Sequence, residues 1–309
     1  MRIAVLDDYQ QVFSTLEAAR LLHGHEVVTF SDSVRGATLA SRLSGFDAVV
    51  LTQQRTAFPR EVVDALPARL RFIAQTGRNT SHLDLEACAR KNIKVISAGV
   101  GTPAAPAELT WALILASRRN IVTEVNALHA GTWQTTVGTT LCGSTLGIWA
   151  FGRIGSIVAQ AGRAFGMRVL CFGREASTTR AKAAGFEVAS TREQLFAEAD
   201  VLSLHLPLSA ETRGLVTATD LKAMKGSALL VNTSRSGLIA PGVLEAALAA
   251  GTPGFAAIDV FDEEPLPLGN PFLGNPRVLA TPHLGYVTRE TLESYFSSAI
   301  DVLLKAAAE

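Results

Sequence analysis

The chain has 309 residues, 48% apolar and 18% charged, enough to build two cores of ordinary domain size. Lys and Arg (28) balance Asp and Glu (28), which argues against nucleic acid or an anionic membrane as partner. Cys88, Cys142 and Cys171 are scattered and odd in number, which suits a reduced cytoplasm better than a disulfide framework; no Cys/His spacing of metal-binding type occurs, so no metal is expected.

The N-terminus, "MRIAVLDDYQ", carries acids where a secretion signal would carry its apolar region, and no apolar run approaches the ~18 residues that span a bilayer. Short apolar runs then alternate with helical patterns. "IAVL" (3–6), "EVVTF" (26–30), "DAVVL" (47–51), "RFIAQ" (71–75) and "IKVIS" (93–97) are rich in Val and Ile without long polar alternation, as buried parallel strands are. Amphipathic stretches lie between them, one at 59–66 opened by Pro59 and one at 84–91 capped by Asp84. "GTPAAPAELTWALILASRRNIV" (101–122) predicts one long connecting helix. A second series of strands follows at 147–150, 168–172, 201–205, 228–234, 256–260 and 278–283, and the segment 288–305 is helical again. The expected fold is α/β: two doubly wound parallel-sheet domains in tandem, with a ligand site in a cleft between them.

The second series opens on "GIWAFGRIGSIVAQAGRAFGMRVLCFGRE" (147–175), which reads as strand, glycine turn, helix and strand. Its turn is Ala150-Phe151-Gly152-Arg153-Ile154-Gly155. Alanine replaces the first glycine of the usual pattern, and the tight turn is expected to accept it. Gly152 lets the backbone approach a pyrophosphate, Gly155 lets the helix close on the strand, and the N–H groups at the helix start, including those of Arg153 and Ile154, attract phosphate. A tight turn without a ligand is the plainer alternative.

Three motifs at strand ends follow, "NTSRSG" (232–237), "DVFDEEPLP" (259–267) and "TPHLGYVT" (281–288). Each places a charged or titratable residue where open α/β sheets bind ligands. Taken singly, Arg235 reads as a surface ion-pair residue, Glu264 as a solvated turn acid beside Asp262 and Glu263, and His283 as a loop histidine. Their order and spacing, together with "GRNTSHLD" in the first domain, resemble the D-isomer-specific 2-hydroxyacid dehydrogenase family over nearly the whole chain.

The resemblance implies a flavodoxin-like substrate domain (1–100 plus 287–309), a Rossmann cofactor domain (101–286), a homodimer built on the helix near 102–121, and no regulatory domain beyond Glu309. It implies Arg235, Glu264 and His283 as the catalytic set. A 2-oxo acid presents a carboxylate and a ketone, and an arginine can hold the first and polarise the second. The ketone oxygen then needs a proton, which an imidazole with an ordinary pKa of about 6.5 can give near neutral pH. A carboxylate beside that ring orients it and favours its charged form.

Other positions follow from the resemblance alone. Asp259 matches the nicotinamide contact, with a turn cap as the alternative. Leu206, Pro207 and Thr212 of "HLPLSAET" (205–212) fall beside the adenosine, and Thr233 and Gly285 fall among the cofactor contacts. Gly77, Arg78 and Asn79 of "QTGRNTSHLD" (75–84) form the loop whose N–H groups hold the substrate carboxylate. Asn79 stands where the family has a second glycine and is expected to take a positive φ in its place.

The cofactor is NAD or NADP, with NADP(H) modestly favoured. The acid that usually grips the adenosine ribose is replaced by Gly173, and Arg174 beside it can pair with a 2′-phosphate. Thr178, Thr179 and Arg180 are expected to add donors in the following loop, whereas Glu175 could turn inward and restore the NAD grip. The expected activity is hydride transfer between this cofactor and a small 2-oxo acid or D-2-hydroxy acid. The alternative is a non-catalytic NAD(P)-sensing protein of the corepressor type.

Overall fold

The computed structural model describes residues 1–308. Strands β1 (Arg2–Val5), β2 (Glu26–Thr29), β3 (Ala48–Leu51), β4 (Phe72–Thr76) and β5 (Lys94–Ala98) alternate with α1 (Gly36–Arg42), α2 (Arg60–Ala65) and α3 (Leu85–Arg90). Pro59 precedes α2, and the Asp84 side chain caps α3 by accepting the Ala87 N–H at 2.8 Å. Then come α4 (Ala104–Arg118), α5 (Ile121–His129), β6 (Thr145–Trp149), α6 (Arg153–Ala164), β7 (Arg168–Phe172), α7 (Glu175–Ala183), β8 (Glu187–Val188), α8 (Arg192–Glu198) and β9 (Val201–Leu204). The chain closes with α9 (Ala218–Ala223), β10 (Leu229–Asn232), α10 (Val243–Ala250), β11 (Phe255–Ile258), β12 (Val278–Ala280) and α11 (Arg289–Ala308).

The chain forms two compact units, Met1–Thr102 with Val287–Glu309, and Pro103–Tyr286. The first holds a parallel sheet in the order β2-β1-β3-β4-β5, and the second a parallel sheet in the order β12-β11-β10-β9-β6-β7-β8. In each, the chain runs outward from the middle in both directions. The order reverses at β1/β3 in one sheet and at β6/β9 in the other, and such reversals open a crevice at the carboxyl ends of the strands.

Both faces of the larger sheet are covered. Leu146 and Ile148 of β6 join one core with Trp111, Ile114 and Val158, whereas Trp149 joins the opposite core with Leu195, Phe196 and Leu204. In the smaller unit, Val49, Leu51, Phe58, Val63 and Ile73 form a core on one side. Helix α11 covers β4 and β5, and Phe296 meets Phe13 edge-on at 5.0 Å between ring centres.

The long helix expected over 101–122 is two helices. Asn120 sits in the left-handed region (φ 50°), which ends α4 and lets the chain restart as α5. The strands expected over 228–234 and 278–283 stop at Asn232 and Ala280, so the residues after them are turns rather than pleat. No helix among the described residues is long and apolar enough to cross a membrane.

Candidate active site

The turn after β6 sits where the strand order of the larger sheet reverses. Ala150 adopts φ 78°, a left-handed conformation that an L-residue enters only at a cost, so the replacement of the usual glycine is tolerated but strained. Its carbonyl accepts the Gly152 N–H at 3.0 Å. A side chain at Gly155 would collide with the Ala150 carbonyl oxygen, whereas a Cβ at Gly152 would meet nothing within 4 Å. Gly155 is therefore needed for close packing, and open space lies before Gly152. Helix α6 begins at Arg153, so the N–H groups of Arg153, Ile154 and Gly155 have no partner within their own helix. Open space in front of unpaired helix N–H groups fits the pyrophosphate of a dinucleotide.

After β7 lies Gly173, the position expected from the resemblance to carry the ribose-binding acid, and a Cβ there would come 2.9 Å from Ser177 Oγ. Arg174 is exposed at the N-cap of α7, and its charge, after hydrogen bonding by Ser209, contributes to holding the Glu211 carboxyl below its usual range. The expected loop at 178–180 is helix. Thr178 donates to the Glu175 carbonyl at 2.9 Å, and Arg180 donates to the Phe151 carbonyl at 3.2 and 3.1 Å, so neither is placed as a loop donor. Glu175 is exposed in the first turn of α7.

The segment 205–212 is held mostly to itself. Thr212 is buried, its hydroxyl donating to the Pro207 carbonyl at 2.6 Å and accepting the Ser209 N–H at 2.8 Å. The Leu206 carbonyl accepts from Ser234 Oγ at 2.6 Å, which joins this segment to the turn after β10. In that turn Asn232 accepts the Ser234 N–H at 3.1 Å and donates to the Arg235 carbonyl at 2.9 Å. Thr233 Oγ1 lies 2.8 Å from Thr110 Oγ1 on α4. Arg235 therefore projects from a short segment whose backbone Asn232 holds on both sides, and one of its Nη atoms donates to the Ser234 carbonyl at 2.7 Å.

Glu264 and His283 come together, with Nδ1 2.7 Å from Oε2. The other carboxylate oxygen accepts the Phe261 N–H at 2.9 Å. Burial alone would raise the Glu264 carboxyl. The hydrogen bond and charge of His283, the Phe261 N–H and the charge of Arg235 outweigh it and hold the group below its ordinary value. His283 has φ 53°, and its backbone is fixed from below by Asp259. That carboxylate is fully buried and accepts from Thr281 Oγ1 (2.7 Å), Leu284 N (2.7 Å) and Gly285 N (2.9 Å). Burial pushes the Asp259 carboxyl up against these donors and the His283 charge. Asp259 thus caps the histidine turn. Gly285 is buried beneath it, where a Cβ would lie 3.3 Å from Asp259 Oδ2.

In the smaller unit, Gly77 has φ 83°, but its N–H donates to the Ala98 carbonyl at 2.6 Å and so is already used. Asn79 is absent from the positive-φ residues. Its side chain instead accepts the Ser81 N–H at 3.0 Å, turning the chain there without a left-handed conformation at Asn79 itself. Arg78 is exposed. Gln53 holds this loop, its amide donating to the Thr76 carbonyl at 3.0 Å and lying where a Gly77 side chain would go.

The sequence reading missed Asn232, Thr281, Gln53, Ser177 and the structural use of Arg180. Asn232 and Thr281 lie inside motifs that were recognised for their neighbours; Ser177 sits in a helix with no motif at all.

Residues 111–285 match the D-isomer specific 2-hydroxyacid dehydrogenase, NAD binding domain. The glyoxylate reductase of Aeropyrum pernix is 41% identical over 72% of this chain and 69% of its own length. Two solved structures superpose with a TM-score of 0.95 at 45% identity: a putative D-3-phosphoglycerate dehydrogenase from Ralstonia solanacearum, covering 99% of this chain and 94% of that one, and a phosphoglycerate oxidoreductase from Vibrio cholerae, covering 100% and 99%. The chain spans about half the length of the curated D-3-phosphoglycerate dehydrogenases it matches. With a dinucleotide-type turn, strand-end Arg, Glu and His side chains, and these relatives, the chain belongs to the D-isomer-specific 2-hydroxyacid dehydrogenase family.

Proposed function

We propose that the protein reduces a small 2-oxo acid to its D-2-hydroxy acid, and catalyses the reverse oxidation, with Arg235, Glu264 and His283 as catalytic residues. The observation that carries this reading is the 2.7 Å contact between His283 Nδ1 and Glu264 Oε2. With Nδ1 committed to the carboxylate, Nε2 is the ring atom that can deliver a proton to a ketone oxygen or take one from a hydroxyl. The Glu264 carboxyl, held below its ordinary value, is ionised near neutral pH and fixes the ring through Nδ1. The Arg235 fork suits a carboxylate and can polarise the adjacent carbonyl.

A reduced nicotinamide dinucleotide supplies the hydride when bound. The N–H groups of Arg153, Ile154 and Gly155 would hold its pyrophosphate, with Leu206, Pro207, Thr212, Thr233 and Asp259 on the surrounding turns. The smaller unit offers the backbone of Arg78 and Asn79, rather than of Gly77, to a substrate carboxylate. NADP(H) is favoured modestly: position 173 carries no acid to repel a 2′-phosphate, and Arg174 is exposed beside it.

A second copy of the chain is the proposed partner. Ile121, Val122, Val125 and Leu128 of α5 are exposed, which supports an apolar face covered in a homodimer, to be checked by sedimentation. The three free cysteines support a cytoplasmic location. The assignment of function is tested by assaying a panel of small 2-oxo acids, glyoxylate and hydroxypyruvate among them, with NADH and with NADPH. Oxidation of either dinucleotide with formation of a D-2-hydroxy acid is expected. Dinucleotide binding without turnover of any member of the panel would favour the sensor reading.

A further inference from the structure

Phe151 lies between the strained Ala150 and the open Gly152, and both its backbone N–H and its carbonyl are held from α7. Its N–H donates to Ser177 Oγ at 2.6 Å, and its carbonyl accepts Nε and Nη2 of Arg180 at 3.2 and 3.1 Å. Ser177 is buried, and the Phe151 ring packs on Phe186 at 5.4 Å between centres. The two contacts come from one helix, three residues apart, so they lie on one face of it. They grip the residue immediately after the one position in this turn where an L-residue adopts φ 78°.

We infer that Ser177 and Arg180 are positioning residues that hold the dinucleotide turn in its left-handed conformation, and that they compensate for alanine at position 150. A glycine there would adopt this φ freely. Alanine resists it, and without a brace the turn relaxes toward negative φ and swings the N–H groups of Arg153, Ile154 and Gly155 away from the pyrophosphate direction. Neither brace residue touches the ligand in this account. Ser177 serves a second purpose, because its hydroxyl fills the space that a side chain at Gly173 would need. The inference rests on the proposed dinucleotide site and adds to it a coupling between Ala150 and α7.

The test is a double-mutant cycle read by calorimetric titration of the purified chain with NADH and with NADPH. Ser177→Ala and Arg180→Ala are each made with Ala150 present and in an Ala150→Gly background. With Ala150 present, each is expected to weaken both dinucleotides by about ten-fold, the typical loss for one hydrogen bond to a constrained buried group. The NADH/NADPH ratio should stay unchanged, because the brace acts on the shared pyrophosphate site. In the Ala150→Gly background the same substitutions should cost less than about two-fold, because glycine needs no brace. Circular dichroism confirms folding, and Arg180→Ala, being at the surface, covers the case where Ser177→Ala unfolds. Equal losses in both backgrounds, or no loss with Ala150 present, would overturn the inference. A parent chain that binds neither dinucleotide would overturn the dehydrogenase reading itself and this inference with it.

Discussion

In the five-stranded sheet the polar groups at the strand ends hold one another. Asp7, buried after β1, accepts from Ser33 Oγ and from Thr56 Oγ1; Gln53 after β3 donates to the Thr76 carbonyl, and the Gly77 N–H donates to Ala98. In the seven-stranded sheet the work is divided. Asn232, Asp259, Ser177 and Arg180 hold backbone turns, and two of the three side chains proposed as catalytic, Arg235 and His283, project from turns so held. Two sheets of the same architecture thus end differently, one as a self-bonded platform and the other as braces plus reactive groups. The difference teaches that a strand-end cluster becomes a site when separate residues take over the structural bonding.

The sharpest way to break this comparison is Arg235→Ala. If Arg235 is chemical and Asn232 structural, kcat/KM for 2-oxo acid reduction should fall by about 10²–10⁴, with thermal stability unchanged. A fall in stability with little change in rate would place Arg235 among the braces. In the other sheet, Asp7→Ala strips the buried Thr56 hydroxyl and the half-buried Ser33 hydroxyl of this acceptor and should cost about 2 kcal/mol in a urea melt. A loss below about 1 kcal/mol would mean the platform is not held this way.

Glu264→Gln should lower kcat for reduction by about ten-fold or more, since the carboxylate that orients the ring at 2.7 Å is lost. An unchanged kcat would assign the orientation of the ring elsewhere. Arg174→Ala should reduce any NADPH advantage by about ten-fold at most, because Glu211 already engages part of its charge. A parent enzyme with higher kcat/KM for NADH than for NADPH would contradict the proposed preference.

The smallest effect compares one half-buried histidine from each unit. Burial pushes His82 and His205 down to about 4; both ring nitrogens of His82 lack a partner, whereas His205 Nε2 lies 3.0 Å from Ser203 Oγ. Their folded values lie below the ordinary 6.5, so on acidification the unfolded chain binds the protons first. The stability concerned is whole above pH 6.5 and is lost as pH falls from 6.5 toward 4. His82→Gln and His205→Gln should each flatten the decline in Tm between pH 7 and pH 5 by a few degrees (about 2–4 °C). An unaltered slope in both would show that neither ring titrates with unfolding.

Strand positions were legible in the sequence because buried parallel strands are Val- and Ile-rich runs, and all eleven that were expected exist with ends shifted by a few residues. The two-residue β8 was too short to show a pattern. The break at Asn120 was hidden by apolar residues that continue on both sides of it. Arg235, Glu264 and His283 were legible as a set only through the family resemblance, because singly each reads as an ordinary surface or loop residue and Glu264 has Asp262 and Glu263 beside it. Their supports did not. Asp259 was legible, from the resemblance, as a nicotinamide contact or else a turn cap, and the Leu284 and Gly285 N–H bonds that cap the histidine turn could not be read from spacing. Asn79 was expected to replace a glycine by its φ and instead turns the loop with its side chain. A brace is defined by where its partner lies in space, and sequence spacing carries no trace of a Ser177–Phe151 bond.

The most direct test of the central claim is His283→Ala, with turnover of a competent 2-oxo acid and dinucleotide affinity measured on the same preparation. A proton donor projecting from a turn that Asp259 holds can be removed without disturbing the dinucleotide turn. The account predicts that kcat falls by about 10²–10⁴ while Kd for the dinucleotide stays within about two-fold. Near-normal kcat, with the dinucleotide bound as in the parent, would contradict it.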